Sequence, residues 1–245
     1  PFILFSKKRY VGNKYEFDLD KYKQTSMGIV LKRRDNAPIL KILYGGVIDI
    51  LLNEMNIHKA TAFLRRGLRE FVNGKYGLDK LIITKKLNAH YKDPERIAHK
   101  VLADRIAKRD PGNKPQVNDR IPFVYIQTKK DIKLQGDKIE SPSFIEENNL
   151  TPDYNFYITN QIMKPIGQIF ALCIESIQGF KYSSDYFNRF ETNLRTKMTD
   201  EQKIEDRVRR ERQKEAEALL FQDVKRLCEN RIEGKQNITN WFGKK

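Results

Sequence analysis

Between residues 38 and 52, apolar side chains fall at Ile39, Leu40, Ile42, Leu43, Val47, Ile48, Leu51 and Leu52. The spacing is helical, and it leaves too little polar surface for a helix lying in water, so other elements must cover this one on most sides. Pro38 suits a first helical turn, with Asp35 or Asn36 in position to cap it. A second helix, Ile57 to Val72, directs Phe63, Leu64, Leu68 and Phe71 inward and Lys59, Arg65, Arg66 and Arg69 outward, and ends at Asn73-Gly74. Before residue 35 the pattern is that of strands: Phe2 to Val11 and Tyr15 to Leu19, joined at Gly12-Asn13, then Gly28 to Lys32. Strands followed by helices predict an α+β fold, a small β element leading into a mostly helical body.

Further along, a short strand at Leu81 to Thr84 precedes a helix that opens at Asp93-Pro94 and runs to about Lys108. A turn-rich loop, Asp110 to Pro115, leads to a strand at Ile121 to Ile126 and a hairpin around Gly136. Ser141-Pro142 opens a short helix, and Pro152-Asp153 a longer one extending to Leu172. After Gly179 the composition changes. From Asp185 to Arg231 the chain is dominated by charge, and Glu201 to Ala218 offers only Ile204, Val208 and two alanines as apolar side chains. That predicts a solvent-exposed or marginal helix, with Leu219, Leu220, Val224 and Leu227 free to dock back or meet a partner. Four segments follow: 1–35, 36–180, 181–232 and a flexible tail at 233–245.

Lysine and arginine number 47 against 32 acids, a formal charge of +15. Residues 1–100 alone hold 21 of these cations and 10 of the acids, which favours a polyanionic partner bound by the N-terminal part. Lys7-Lys8-Arg9-Tyr10 gathers three cations and a ring. On an extended strand Lys8 and Tyr10 would share one face; the segment reads either as a nucleic-acid contact or as an edge strand guarded by lysines. Arg33-Arg34-Asp35 reads either as a phosphate contact or as an ion pair beside a helix cap. Cys173 and Cys228 are too isolated for a disulfide framework or a zinc knuckle, and His58, His90 and His99 lack the partners of a metal site. His99 reads as a packed side chain, Gly45-Gly46 as a close helix contact, and Asp18 and Asp20 as surface carboxylates. With no apolar run of about 20 residues, no membrane partner is expected and an intracellular setting is.

Taken in order, three stretches resemble the end of the palm and the thumb of family B DNA polymerases. They are Lys7-Lys8-Arg9-Tyr10-Val11-Gly12, Gly28 to Pro38 through Lys32-Arg33-Arg34-Asp35-Asn36, and Leu81-Ile82-Ile83-Thr84-Lys85-Lys86-Leu87. Ala98 to Ala103, Val117 to Val124, and Asn148 through Asp153 to Gln161 resemble the thumb segments that follow. The resemblance covers roughly residues 1 to 175. It implies a palm edge over 1–35, a thumb over 36–180 and a charged helical extension over 181–232. It also implies that Lys7, Lys8 and Tyr10, with Arg9 beside them, contact the primer end of a primer-template duplex. Lys85 and Lys86 would face the duplex backbone, and Arg33 and Arg34 would lie where palm joins thumb.

The family's Tyr-Gly-Asp-Thr-Asp-like turn, its fingers lysine and its exonuclease carboxylates do not occur in this sequence. The two magnesium ions of the full enzyme would therefore be held outside this chain, which on its own is expected to be inactive, with no catalytic residue and no cofactor. Its partners would be duplex DNA and the catalytic palm, fingers and exonuclease portions. At the C-terminus, Ile238, Trp241 and Phe242 stand at i, i+3, i+4 and resemble a sliding-clamp-binding peptide; a tail docked on its own domain is the alternative. The absence of paired cysteine modules after the thumb suits a large DNA virus, with replication in the host nucleus or a cytoplasmic factory. A separately encoded polymerase subunit and a stand-alone nucleic-acid-binding protein remain alternative readings.

Overall fold

A computed structural model describes residues 1–16, 21–129, 131–183 and 185–232. Asp18, Asp20 and the tail bearing Ile238, Trp241 and Phe242 lie outside the described residues. The chain is α+β, with two small antiparallel sheets and a larger helical part.

The first sheet has the order β1-β2-β3, formed by Phe2–Ser6, Arg9–Tyr15 and Tyr22–Met27. The reversal comes at Lys7-Lys8 and not at Gly12-Asn13 as expected: Gly12 is in mid-strand, opposite Phe2, whose ring occupies the space a Cβ would need. The expected strand at Gly28 to Lys32 is also absent. Gly28 adopts a φ of 63°, and Val30–Lys32 forms a 3-10 turn. Glycine suits that position because the Lys8 carbonyl approaches too closely to admit a side chain.

Helices α1 (Pro38–Asn53) and α2 (Ile57–Val72) pack against each other where Phe63 lies on Gly46 and Leu43 lies on Gly67. Here the close-packing reading of Gly45-Gly46 holds for Gly46; a side chain on Gly45 would meet only Leu31, at 3.7 Å. Neither Asp35 nor Asn36 caps α1: Ala37 stands at its N-cap, and the Ala37 N–H donates to Gln161 Oε1 at 3.0 Å. Asn56 caps α2 by accepting from the Lys59 N–H.

The second sheet joins β4 (Ile83–Lys86), β5 (Arg120–Tyr125) and β6 (Ile139–Glu140). Strands β5 and β6 pair antiparallel as a hairpin, and a 3-10 turn at Gln135–Lys138, with Gly136 in it, lies in the loop that joins them. Helix α3 (Ala98–Arg109) covers this region, preceded by a separate 3-10 turn at Pro94–Arg96. After α4 (Pro142–Glu147), a continuous helical run contains α5 (Tyr154–Phe156), a π-helical segment at Tyr157–Ile162 and α6 (Met163–Phe170). The π segment directs Tyr157 into the core, where its hydroxyl donates to the Leu81 carbonyl at 2.8 Å and accepts from the Tyr125 N–H at 3.1 Å.

The charged region forms α7 (Tyr186–Arg195) and the 32-residue α8 (Glu201–Ile232), and α8 is neither marginal nor exposed on all sides. Ile204, Ala216, Leu220, Val224 and Cys228 are buried, as is Phe221. With Val208 and Arg212 they form a series repeating every four residues. Four residues turn a helix by 400°, so this stripe winds about 40° per step and meets α7, then α6, then α2 and α5. Arg212 holds its place in the series by donating to the Ala171 carbonyl at 2.8 Å, pairing with Glu175, and lying over the Phe187 ring.

Candidate nucleic-acid interface

The predicted cations fall into two groups. In the first, Lys7 and Lys8 form the exposed β1–β2 turn, and Lys8 has a φ of 64°. Arg9 and Tyr10 begin β2, so strand alternation separates them. Arg9 turns inward: its guanidinium donates to Gln168 Oε1 at 2.7 Å and to the Gly28 carbonyl at 3.3 Å. Tyr10 turns outward and stacks on Phe2 at 5.3 Å between ring centroids. The expected sharing of a strand face by Lys8 and Tyr10 does not arise, because Lys8 belongs to the turn. Phe2, Leu4 and Met27, 59%, 60% and 44% exposed, surround Tyr10 as an uncovered apolar face.

The second group centres on β4. Burial of Ile83 and Leu87 anchors the strand and leaves Lys85 and Lys86 exposed. Lys86 stands directly opposite Arg120 of β5. Arg120 donates to the Thr84 carbonyl at 2.9 Å and to Thr84 Oγ1, which fixes its stem along the strand. Thr84 Oγ1 in turn reaches the Arg34 carbonyl at 3.5 Å, and so the linker 33–35 lies beside β4. Within that linker Arg33 pairs with Asp35 at 2.7 Å, and this bond holds the Asp35 carboxyl below its ordinary range. The ion-pair reading of Arg33 therefore holds, while Arg34 stays exposed with no ion pair among the described residues.

Strand alternation turns Lys85 to the opposite face of β4 from Lys86, where with Arg96, His99, Asp35 and Gln161 it lines a cleft of about 410 Å³. His99 is half-buried, and burial, reinforced by Lys85, lowers its pKa. Its Nε2 lies 3.1 Å from the Tyr91 hydroxyl, which accepts from the Asn88 N–H at 2.7 Å. The packed-side-chain reading of His99 thus holds. Sequence reasoning missed Arg120 and Gln161. The cross-strand partner of Lys86 requires the β4–β5 register, and Gln161 reaches α1 from 124 residues away.

No group of three His, Cys, Asp or Glu among the described residues could hold a metal ion. Several cations of this surface lie outside any ion pair, although the Asp35 carboxyl shares a cleft with Lys85 and feels its charge. Lys7, Lys8, Lys85 and Lys86 make no ion pair among the described residues. Like charges opposed across a ladder, as at Lys86 and Arg120, repel, and a bound anion removes that penalty. No helix of the described residues is long and apolar enough to cross a membrane.

The sequence profile of DNA polymerase family B matches residues 1–173. A DNA polymerase of Pyramimonas orientalis virus is 52% identical over 246 residues, covering 99% of this chain and 20% of that protein. A DNA polymerase of Acanthamoeba polyphaga mimivirus is 53% identical over 196 residues, 78% of this chain and 11% of its own length. The DNA polymerase delta catalytic subunit of Candida albicans is 33% identical over 170 residues, 69% of this chain and 16% of that subunit. Among solved structures, the family B DNA polymerase from the archaeon Pyrobaculum calidifontis shares the fold over 74% of this chain and 22% of its own, with a TM-score of 0.53 at 20% identity. The chain thus spans about a fifth of the length of the first viral relative. On a profile match that runs through both sheets and most of the helical body, this chain belongs to DNA polymerase family B.

Proposed function

We propose that this chain is the palm edge and thumb of a replicative DNA polymerase and grips primer-template duplex behind the site of synthesis. The observation that carries the reading is the opposition of Lys86 and Arg120 across β4 and β5, with Arg34 beside them, Lys85 on the other face of β4, and no ion pair made by any of the four among the described residues. Cations held this way bind phosphates in any sequence, which suits an enzyme that must slide along its product. Lys7, Lys8 and Tyr10 contact the primer end in this reading, while Arg9, bonded to Gln168 and the Gly28 carbonyl, contributes to stability and makes no phosphate contact. The apolar face of Phe2, Leu4, Tyr10 and Met27 packs on the remaining polymerase domains. Identity of 52% across 99% of the chain supports a polymerase over a stand-alone binding protein.

The two-metal chemistry of nucleotide transfer belongs, in this proposal, to carboxylates outside this chain, since its described residues do not fit such a site. Ile238, Trp241 and Phe242 bind a sliding clamp; clamp retention unchanged by Trp241→Ala with Phe242→Ala would remove that element. The grip is tested by duplex affinity against salt. Six cations, Lys7, Lys8, Arg34, Lys85, Lys86 and Arg120, give a logarithmic slope of about −5, or a roughly 10³-fold loss between 50 and 200 mM salt. Lys85→Gln with Lys86→Gln makes the slope shallower by about 1.8. A slope that stays parental in that variant would sink the proposal.

A further inference from the structure

Helix α2 carries a second basic surface that the thumb reading does not use. With 100° per residue, His58, Arg65 and Arg69 fall on one side of the helix and Arg66 on its flank, while Leu64, Leu68 and Phe71 face the core. Lys75, just beyond the helix, and Gln178, from the loop after α6, complete a groove of about 510 Å³. It shares no lining residue with the cleft beside β4.

The charges here are unanswered. The guanidinium groups of Arg65, Arg66 and Arg69 make no hydrogen bond or ion pair among the described residues, and Glu70 is the single acid lining the groove. Several other helical arginines are paired, Arg189 with Asp185, Arg195 with Glu191, Arg209 with Asp206 and Arg212 with Glu175, whereas Arg207 and Arg210 of α8 make no ion pair among the described residues. On α2 itself, Lys59 pairs with Glu54. Like charges at i and i+4, as at Arg65 and Arg69, disfavour a helix unless an anion lies between them.

We infer that this groove is a second phosphodiester-binding surface, taking the backbone of a nucleic-acid duplex. Guanidinium forks match phosphate geometry, and one helical turn sets Arg65 and Arg69 about 6 Å apart along the axis, a spacing that lets each reach a different phosphate. No Phe, Tyr or Trp lines the groove, and His58 is its one ring. Surfaces for single strands rely on series of rings that stack successive bases, so a groove led by arginines with a single imidazole suits a duplex whose bases are already stacked. The inference does not depend on the role of β4.

The test uses the whole 245-residue chain, a fluorescein-labelled blunt DNA duplex and a polyglutamate peptide, read by anisotropy across a salt series. Arg65→Gln, Arg66→Gln and Arg69→Gln together make the duplex salt slope shallower by about 2.7, both in the parent and when Lys85→Gln and Lys86→Gln are also present. The corresponding lysine triple restores the slope, which separates charge from packing. A glutamine triple with parental melting and an unchanged duplex slope overturns the inference. Loss of polyglutamate binding without any loss of duplex binding also overturns it and assigns the groove to an acidic protein segment. Failure of Lys85→Gln with Lys86→Gln to weaken binding counts against the thumb reading alone.

Discussion

Glu140 ties α3 to the sheet that displays Lys86 and Arg120, and removing it tests whether that sheet is braced as the geometry indicates. Its side chain is 5% exposed and accepts from Arg109 at 3.0 and 2.9 Å, with Arg105 at 3.4 Å. Arg105 also donates to the Gly136 and Ile139 carbonyls at 2.7 and 3.0 Å, so the pair clamps the approach to β6 as well as β6 itself. Breaking a fully buried pair costs about 3–5 kcal/mol. Here the arginine side chains keep 27% and 37% exposure and reach water when the acid is gone. Glu140→Ala is therefore expected to cost about 2–3 kcal/mol, a fall in melting temperature of about 4–12 °C for a chain of this size. Glu140→Gln keeps one acceptor and loses about half as much. Thermal unfolding followed by circular dichroism reads both. Because Glu140 bonds to Arg105 and Arg109 and to none of the cations assigned to the duplex, the duplex salt slope well below the transition stays parental. An alanine variant that melts within about 1 °C of the parent would refute the bracing argument.

Gly28→Ala forces a side chain into left-handed backbone against the Lys8 carbonyl; a loss of about 2–4 kcal/mol is expected in denaturant titration, with weaker duplex binding from the displaced turn. Arg9→Ala removes the bonds to Gln168 and Gly28 and lowers stability by about 1–2 kcal/mol, yet leaves the salt slope unchanged; a shallower slope would make Arg9 a phosphate contact. Burial lowers the pKa of His99, so the folded state resists protonating it. Its share of stability is full above the ordinary value of 6.5 and declines as pH falls below that value. A parent and a His99→Asn variant losing stability equally between about pH 7 and 5.5 would contradict this assignment.

The long apolar segment at Ile39 to Leu52 required a buried helix whatever else the chain did, and α1 and α2 follow because their periodicity outweighs any local alternative. The ordered motifs at Lys7, Arg33 and Lys85 likewise pointed to the polymerase family without coordinates, since the identity and order of short segments suffice for that. Three features depended on contacts between distant residues. Gly12 reads as a turn locally, but Phe2 packs over it and keeps it in mid-strand. Helix α8 looks too polar to pack, because its buried series advances every four residues and winds around the axis, with Arg212 filling one place through its bonds to Ala171 and Glu175. An excess of cations over acids near the N-terminus is a matter of composition alone. Which of them are paired is set by the fold: Gln168 holds Arg9 and Asp35 holds Arg33, while Lys85, Lys86 and the α2 arginines make no ion pair among the described residues, because pairing depends on distances that folding alone sets.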